Sequence, residues 1–200
     1  MTAPMTMHIT PVTLEGRRVR LVPLSREAHE AGLAQAIGDG ELWALPVTFV
    51  PHPLDLETYF NAADAAQRSG RELAFATLDA DSGTVVGSTR FRCIEAAHRR
   101  VEIGATFIAR SWQRTHINTE AKYLMLRHAF EHWGCHRVEL LTDSRNLASR
   151  QAIVRIGARE EGILRSHMVM RDGFVRDSVM HAITHSDWPQ VRARLEAMLR

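Results

Sequence analysis

The apolar positions of this chain recur with two different periods. In some segments they recur every second residue, which is typical of strands, and in others every third or fourth residue, which is typical of helices. Ser25 and Asp187 are good N-caps for two helical segments, and Gly38 and Gly70 mark helix ends. In chain order, the pattern predicts a strand at 17–24, helices at 25–38 and 54–70, strands at 72–79, 83–95 and 99–109, a helix at 118–133, a strand at 136–143, a helix at 146–157, strands at 159–170 and 174–184, and a last helix from 187.

The order of these elements indicates the fold class. Antiparallel hairpins surround a single β-α-β crossover, which predicts an α+β fold with a mixed, mostly antiparallel sheet. Hydrophobic residues make up 45% of the chain, which is enough for one proper core. No internal repeat, linker or low-complexity block interrupts the pattern, so we expect a flexible N-terminal arm at 1–12 and a single domain at 13–200.

Composition and charge argue against several classes of protein. The formal net charge is +2 and acidic and basic residues are mixed, so no concentrated basic face indicates nucleic-acid binding. No stretch approaches the roughly 20 apolar residues of a membrane span, and the N-terminus lacks the basic and apolar regions of a signal peptide. Cys93 and Cys135 stand alone, without a C-x-x-C pair for metal or redox chemistry, so we expect reduced thiols in the cytoplasm.

A polar, charged loop follows the apolar run that ends at Ile108. We expect the next helix to begin at Asn118, a good N-cap, with Thr119 and Glu120 in its first turn. In a strand-loop-helix arrangement the first free N–H groups of the helix point at an anion, and the helix dipole supports this. The alternative is an ordinary capped helix, which Glu120 favours because its carboxylate already complements the dipole.

Three segments of the chain resemble one family. They are "LEGRRVRLVPLS" (14–25), "VEIGATFIARSWQRTHINTEAKYLMLRHAFE" (101–131) and "HRVELLTDSRNLASRQAIVRIGAREEGILR" (136–165). On these segments the chain resembles the GNAT superfamily of acyl-CoA-dependent N-acetyltransferases, and within it the RimJ/RimL-like branch, whose named members acetylate the N-termini of ribosomal proteins. The resemblance covers about 13–185 and implies the GNAT fold, a sheet splayed between its fourth and fifth strands, with acetyl-CoA as acyl donor and no metal.

The resemblance also assigns the residues that bind CoA. The family motif Q/R-x-x-G-x-G/A, whose amides hold the pyrophosphate, matches the run 113–118, with both glycines replaced. Asn118 is a mild change because it tolerates left-handed backbone, whereas His116 either obstructs a phosphate or donates to it. The implied CoA contacts are the backbones of Phe107 and Ile108 for the pantetheine arm, the loop and helix start at Gln113, Arg114, Thr115, His116, Ile117, Asn118 and Thr119 for the pyrophosphate, and Asn146 for the arm.

Two residues are candidates for the chemistry. Glu102 lies in an otherwise apolar strand, on the face of Gly104, and is either a general base with a pKa raised by burial or a partner in an ordinary salt bridge. In the family pattern N-x-x-S, which Asn146 and Ser149 match, the serine hydroxyl protonates the leaving thiolate. The alternative makes Asn146 a plain N-cap and Ser149 a solvated helix residue, while Ala148, Ala152, Ile153 and Ile156 pack the helix inward.

Other residues carry weaker hypotheses. His128 and His132 have a metal-ligand spacing but no third ligand, so we expect surface histidines. Cys135 and His136 point to opposite faces of a strand and form no catalytic pair. Three aromatic residues wall an acceptor pocket or belong to the core: Trp43, Phe49 and Tyr59.

The resemblance leaves the acceptor and the acyl group open. The acceptor is a primary amine, either a protein N-terminus or a small amine such as an aminoglycoside, and the acyl group is acetyl or larger. A CoA-binding protein without catalysis and an interaction module built on the same fold are the alternatives. The apolar stripe of Trp188, Val191, Leu195 and Leu199 on the last helix packs on its own domain or on a partner, and we expect a homodimer.

Overall fold

The computed structural model describes residues 7–200 and contains one mixed sheet flanked by helices. The strands are β1 (Leu14–Glu15), β2 (Val19–Pro23), β3 (Leu73–Asp79), β4 (Val85–Glu95), β5 (Arg100–Ile108), β6 (Arg137–Asp143), β7 (Arg159–Val169) and β8 (Val175–Thr184). The α-helices are α1 (Arg26–Gly38), α2 (Leu56–Arg68), α3 (His116–Arg127), α4 (Leu147–Arg155) and α5 (Trp188–Met198).

The sheet has the order β1-β2-β3-β4-β5-β6-β8-β7. Only the β5–β6 pair is parallel, and all other neighbours are antiparallel. The α+β class with a mixed, mostly antiparallel sheet is therefore confirmed. The two-residue strand β1 was not predicted, so β5 and β6 are the fourth and fifth strands of the prediction.

Hydrophobic residues on the two faces of the sheet form two cores. On the α3 face, side chains such as Phe75, Phe91 and Val138 pack against α3, α4 and α5. On the α1 face, Phe107 of β5 packs with α1 and α2, for example with Phe60. The α1 face beyond β5 is not covered by these two helices, since their main contacts are with β3 and β4.

β5 and β6 pair only over their first residues. Arg100, Val101 and Glu102 lie opposite the first three residues of β6, and no further pairing follows up to Ile108 on one strand and Asp143 on the other. A bulge with Ala105 in left-handed backbone (φ +47°) bends β5 where the pairing ends. The predicted splay is confirmed, and we call the wedge between the unpaired parts of the two strands the β5–β6 gap.

The structure corrects two predicted boundaries, the start of helix α3 and the extent of the N-terminal arm. Helix α3 begins at His116, and its N-cap is Thr115 rather than Asn118, because Thr115 Oγ1 accepts the N–H of Ile117. The predicted arm at 1–12 is not free over its second half: Met7 is 8% exposed and packs in the core. Residues 1–6 of that arm lie outside the described residues.

The apolar stripe of α5 packs on its own domain. Trp188, Val191 and Leu195 are buried, and the Trp188 ring stacks on Phe130 with centroids 5.3 Å apart. The stripe therefore needs no partner to cover it. The homodimer remains a prediction.

Candidate functional site

The loop between β5 and α3 contains no glycine, and hydrogen bonds from its own side chains hold its conformation. It forms a short 3-10 turn at Arg110–Trp112 and passes through Arg114 in left-handed backbone (φ +62°). The Gln113 side-chain amide donates to the carbonyl oxygen of Ile108 over 2.9 Å. Thr115 Oγ1 donates to the carbonyl of the 3-10 turn over 2.7 Å, which fixes the chain where α3 begins.

The first turn of α3 offers backbone donors to an anion. The first N–H groups of a helix have no intrahelical partner, and Thr115 Oγ1 takes only that of Ile117. The N–H groups of His116 and Asn118 are left for another acceptor, and the helix dipole favours a negative charge there. The exposed Arg114 directly before the cap adds a cation. This turn therefore suits a pyrophosphate although both family glycines are absent.

Two other predicted CoA contacts, Ile117 and Thr119, have side chains that are buried in contacts with the protein itself. Ile117 is fully buried in the core on the α3 face. Thr119 is 4% exposed, and its Oγ1 accepts a hydrogen bond from Arg155 Nη2 over 2.8 Å. Ile117 can therefore offer a ligand only its backbone, and Thr119 ties α3 to α4.

The imidazole of His116 is directed at the end of β3. Its Nε2 lies 3.7 Å from Asp79 Oδ1, and this nitrogen is buried without a hydrogen bond. The ring also borders a cavity of about 280 Å³ next to Arg17 and Arg18, which directly precede β2. The histidine at the glycine position therefore has a contact of its own with Asp79.

The backbone of β5 presents Ile108, but not Phe107, to the β5–β6 gap. The N–H of Ala109 donates to β4 over 2.8 Å. N–H and C=O groups of successive strand residues point to opposite sides, so those of Ile108 and Thr106 point to the gap and those of Phe107 to β4. Because Gln113 already donates to the Ile108 carbonyl, the Ile108 N–H is the open group.

Lys122, the only lysine of the chain, lies beneath this part of β5. Its Nζ donates to Thr106 Oγ1 over 2.7 Å and to Thr89 Oγ1 over 3.3 Å. Among residues 7–200 no carboxylate forms an ion pair with it, and burial alone lowers its pKa to about 7. A buried amine that is only partly protonated near neutral pH therefore supports the strand that lines the gap.

Glu102 projects from the α1 face where β5 and β6 part. It is 9% exposed, and Gly104 makes room for it, since a Cβ at 104 would lie 2.5 Å from Glu102 Oε1. Burial raises the pKa of Glu102, and the nearby Arg92, with its Nε 3.8 Å from Oε1, opposes that effect. The geometry thus contains both predicted features, a buried carboxylate with a raised pKa and an arginine beside it.

The start of α4 faces the same open end of the sheet. Asn146 is the N-cap, and its Oδ1 accepts the N–H of Ser149 over 3.0 Å, which leaves the amide Nδ2 free to donate. Ser149 is half-buried, and no hydrogen bond of its hydroxyl to a described residue is found. Ile153 and Ile156 pack inward as predicted, but Ala148 is exposed, because α4 turns only its later residues to the core.

The segment 39–50 crosses the open end of the gap on the α1 face. At one end the Asp39 carboxylate accepts the N–H of Ser111 in the loop before α3, over 3.0 Å. At the other end the ring of Phe49 lies 5.9 Å from the guanidinium carbon of Arg176 on β8. This segment is therefore placed to contact an acceptor that approaches the gap from the α1 face.

The three aromatic candidates have different surroundings. The Tyr59 hydroxyl is 2.9 Å from Ser88 Oγ, and the guanidinium of Arg90 lies over the Tyr59 ring. Trp43 is half-buried against the core of the α1 face. Phe49 is 42% exposed. Trp43 and Tyr59 thus belong mainly to the core, and Phe49 has the free surface of a pocket wall.

Sequence reasoning missed three residues of this site. Thr106 and Lys122 come together only because the bulge at Ala105 reverses the alternation of β5. Arg176 reaches the site from a strand 74 positions further along the chain than Glu102, so no local motif connects the two. The one available signal was Lys122 itself, a lone lysine among apolar helix positions.

The described residues offer no other ligand centre. His128 and His132 stack with ring centroids 5.1 Å apart. Of these two, His128 is half-buried and His132 is exposed, so the prediction of a surface histidine holds for His132. Within residues 7–200, no three His, Cys, Asp or Glu side chains come together in a way that could hold a metal ion. In the same range, no helix has both the length and the apolar character of a membrane span.

Comparison with known proteins gives a consistent picture. Residues 18–159 match the family model described as the acetyltransferase (GNAT) domain. The chain is 27% identical over 103 residues to the uncharacterized N-acetyltransferase YoaA of Bacillus subtilis, covering 52% of this chain and only 57% of that protein. A GCN5-related N-acetyltransferase from Brucella melitensis superposes with a TM-score of 0.85 at 31% identity, over 96% of this chain and 86% of the other. RimJ of Mycobacterium smegmatis, in complex with CoA-disulfide, superposes with a TM-score of 0.81 at 26% identity, over 95% and 96% of the two chains.

Proposed function

Because the chain belongs to the GNAT acetyltransferase family, we propose that it is an acyl-CoA-dependent N-acyltransferase that transfers an acyl group, in the simplest case acetyl, to a primary amine. The observation that carries this proposal is the β5–β6 gap, in which a parallel strand pair stops after three residues and exposes backbone groups of β5. A gap of this kind admits an extended arm between the strands. The enzyme needs no metal for this transfer.

The residues present fit a CoA donor. The first-turn N–H groups of His116 and Asn118, with Arg114, hold the pyrophosphate. The N–H of Ile108 and the free Nδ2 of Asn146 contact the pantetheine arm from the two sides of the gap. An N–H of the unpaired part of β5 also polarises the thioester carbonyl, as oxyanion-binding donors do.

The acid and base of the reaction come from opposite sides of the gap. Glu102 on the α1 face takes the proton of the attacking ammonium or amine, directly or through water, and burial raises the pKa of this carboxylate, which makes it a stronger base than an exposed glutamate. The amine attacks the thioester carbonyl, the C–S bond breaks, and the Ser149 hydroxyl at the start of α4 protonates the leaving thiolate.

A protein N-terminus is the acceptor we propose. The similarity to a RimJ over nearly the whole chain supports it, and the α1 face beyond β5 is open to an extended peptide. A small amine such as an aminoglycoside is the second candidate, because the segment 39–50 crosses the open end of the β5–β6 gap and restricts the space for an acceptor on the α1 face. A homodimer and a cytoplasmic location belong to the same proposal.

Two measurements test the proposal in sequence. Titration calorimetry with acetyl-CoA tests binding, and undetectable binding at millimolar concentration would reject the CoA site. Thiol release is then measured with peptides that carry a free N-terminus, with the same peptides blocked by N-acetylation, and with small amines. Activity that disappears with the blocked peptides supports the N-terminal acceptor. Binding without any thiol release would instead indicate a CoA-binding protein without catalysis.

A further inference from the structure

Arg176 is a buried cation that makes no hydrogen bond or ion pair with a carboxylate of the described residues. The residue is 6% exposed, and its Nε donates to Ser178 Oγ over 2.8 Å. Neither terminal nitrogen of its guanidinium makes a hydrogen bond or an ion pair with a described residue, and neither is sealed from solvent. The Asp143 carboxylate attracts Arg176 electrostatically but makes no hydrogen bond with it, and Arg145 donates to both of its oxygens over 3.0 and 2.7 Å.

An arginine keeps its charge in a protein, so its burial calls for an anion. A buried, charged guanidinium without an acidic partner costs free energy unless something else compensates it. Within the described residues the guanidinium donates one hydrogen bond to a neutral hydroxyl, and its carbon lies over the Phe49 ring, 5.9 Å from the ring centroid. Asp143 and Glu102 attract it electrostatically, but neither accepts a hydrogen bond from it. The two free terminal nitrogens are therefore available for a negatively charged ligand group.

Arg176 lies on the same face of the sheet as Glu102, the proposed base. Glu102 lies opposite Glu139 on β6, which lies opposite Ala182 on β8, so these three side chains share the α1 face. Strand alternation places Arg176 on that same face. Because Asp143, the last residue of β6, lies opposite Ser178, Arg176 is located beyond the end of β6, at the open end of the gap.

We propose that Arg176 binds a carboxylate group of a substrate at the open end of the β5–β6 gap. The planar fork of a guanidinium matches a carboxylate in a bidentate arrangement. Two sources supply this chemistry: the distal carboxylate of a dicarboxylic acyl group on CoA, or a carboxylate of the amine acceptor. The proposal rests on the proposed function and adds a substrate class to it.

The experiment compares matched substrate pairs by steady-state kinetics. In the first arm the acceptor is fixed and the donor is either acetyl-CoA or succinyl-CoA. In the second arm acetyl-CoA is fixed and the acceptor is either an amino acid amide or the corresponding free amino acid. Each pair is measured with the unaltered protein, Arg176→Met, Arg176→Lys and the control Arg171→Met, which removes an exposed arginine from the same β7–β8 hairpin. Thermal unfolding of each variant shows that it is folded.

We expect the substitution of Arg176 to lower kcat/KM for only the carboxylate-bearing substrate of one pair. Arg176→Met should lower kcat/KM about ten- to hundredfold for the carboxylate-bearing substrate, the range for a hydrogen bond to a charged group, and should leave the neutral member within about twofold. Arg176→Lys should recover part of the loss, and Arg171→Met should have no effect. An effect in the first arm identifies the acyl group as the source, and an effect in the second arm identifies the acceptor.

Three outcomes would overturn the proposal. Equal losses for both members of each pair, with a lowered melting temperature, would show that Arg176 only stabilises the fold. Unchanged kinetics for all substrates would show that it binds none of them. No turnover of any pair by the unaltered protein would instead contradict the proposed function itself, and the carboxylate site would fail with it.

Discussion

The Glu102 carboxylate and the Arg92 guanidinium lie 3.8 Å apart on the α1 face, close enough for electrostatic attraction but without a hydrogen bond between them. An arginine in direct contact would hold the carboxylate as a weak base, whereas burial alone would favour the protonated acid. The observed geometry combines both influences, and burial is the larger. Burial therefore makes Glu102 a stronger base than an ordinary glutamate, and Arg92 limits this effect.

This relationship predicts the pH dependence of Glu102→Gln. The substitution should lower the acylation rate by roughly a hundredfold to ten-thousandfold at a pH where Glu102 is ionised and the amine is still protonated. The loss should be smaller at higher pH, where the amine is already neutral, and at lower pH, where Glu102 is itself protonated. Steady-state rates across pH, with acetyl-CoA binding measured separately, provide the check. Glu95→Gln, at an exposed position on β4, is the control. Near-full activity of Glu102→Gln at every pH would place the base elsewhere.

Ser149→Ala should cost less activity than Glu102→Gln. A thiolate is a tolerable leaving group without protonation, so loss of the hydroxyl removes only assistance to its departure. Affinity for acetyl-CoA should change little, because Ser149 takes part in the cap of α4 through its N–H and not its hydroxyl. If calorimetry shows that the variant mainly weakens acetyl-CoA binding, the hydroxyl is a ligand contact and its role as an acid is wrong.

Asn146 allows the capping role and the ligand role to be separated. Asn146→Asp keeps an oxygen for the Ser149 N–H but removes the amide donor, so it should preserve the melting temperature and weaken acetyl-CoA binding. Asn146→Ala should weaken binding and also cost about 0.5–2 kcal/mol of stability. Denaturant unfolding and calorimetry on both variants make the comparison. Unchanged affinity in Asn146→Asp would limit Asn146 to capping.

His116→Gly should preserve acetyl-CoA binding. The imidazole is turned toward Asp79, with Nε2 buried 3.7 Å from Asp79 Oδ1, so its removal takes no donor from the helix start, and glycine restores the family residue. The variant Asp79→Asn tests the same contact from the other side and should also bind. A clear loss of affinity in His116→Gly, but not in Asp79→Asn, would show that the imidazole contacts the phosphate.

Lys122→Met should stabilise the protein near neutral pH. The folded state lowers the pKa of Lys122 from 10.5 to about 7, so protonating it costs free energy on the order of a few kcal/mol below pH 7. Between pH 7 and 10.5 the unfolded chain binds the proton and the folded chain does not, so the unaltered protein gains stability as the pH rises. The advantage of Lys122→Met should therefore be largest below pH 7 and decrease toward pH 10. Chemical denaturation over this range measures it, and a stability difference independent of pH would contradict the assignment.

The local pattern of the sequence was sufficient for most of the elements. Alternation identified the strand with Val19 and Leu21 on one buried face, and the cap residue Ser25 located the start of α1. These features depend on neighbouring residues, which a chain pattern contains. The start of α3 was placed two residues late, because Thr115 and Asn118 are both good caps. The choice was decided by the hydrogen bond of Thr115 to the preceding turn.

The sequence alone determined the α+β class and the order of strands and helices of a GNAT fold. Only the tertiary structure decided which groups meet at the site. The bulge at Ala105 turns Thr106 toward Lys122, and the order of the sheet brings Arg176 of β8 beyond the end of β6. Contacts of this kind join residues far apart in the chain, and they depend on strand register and on where pairing stops. The hydrophobic period of a strand predicts which face of the sheet a residue lies on. It does not predict which residues of other strands lie beside it on that face.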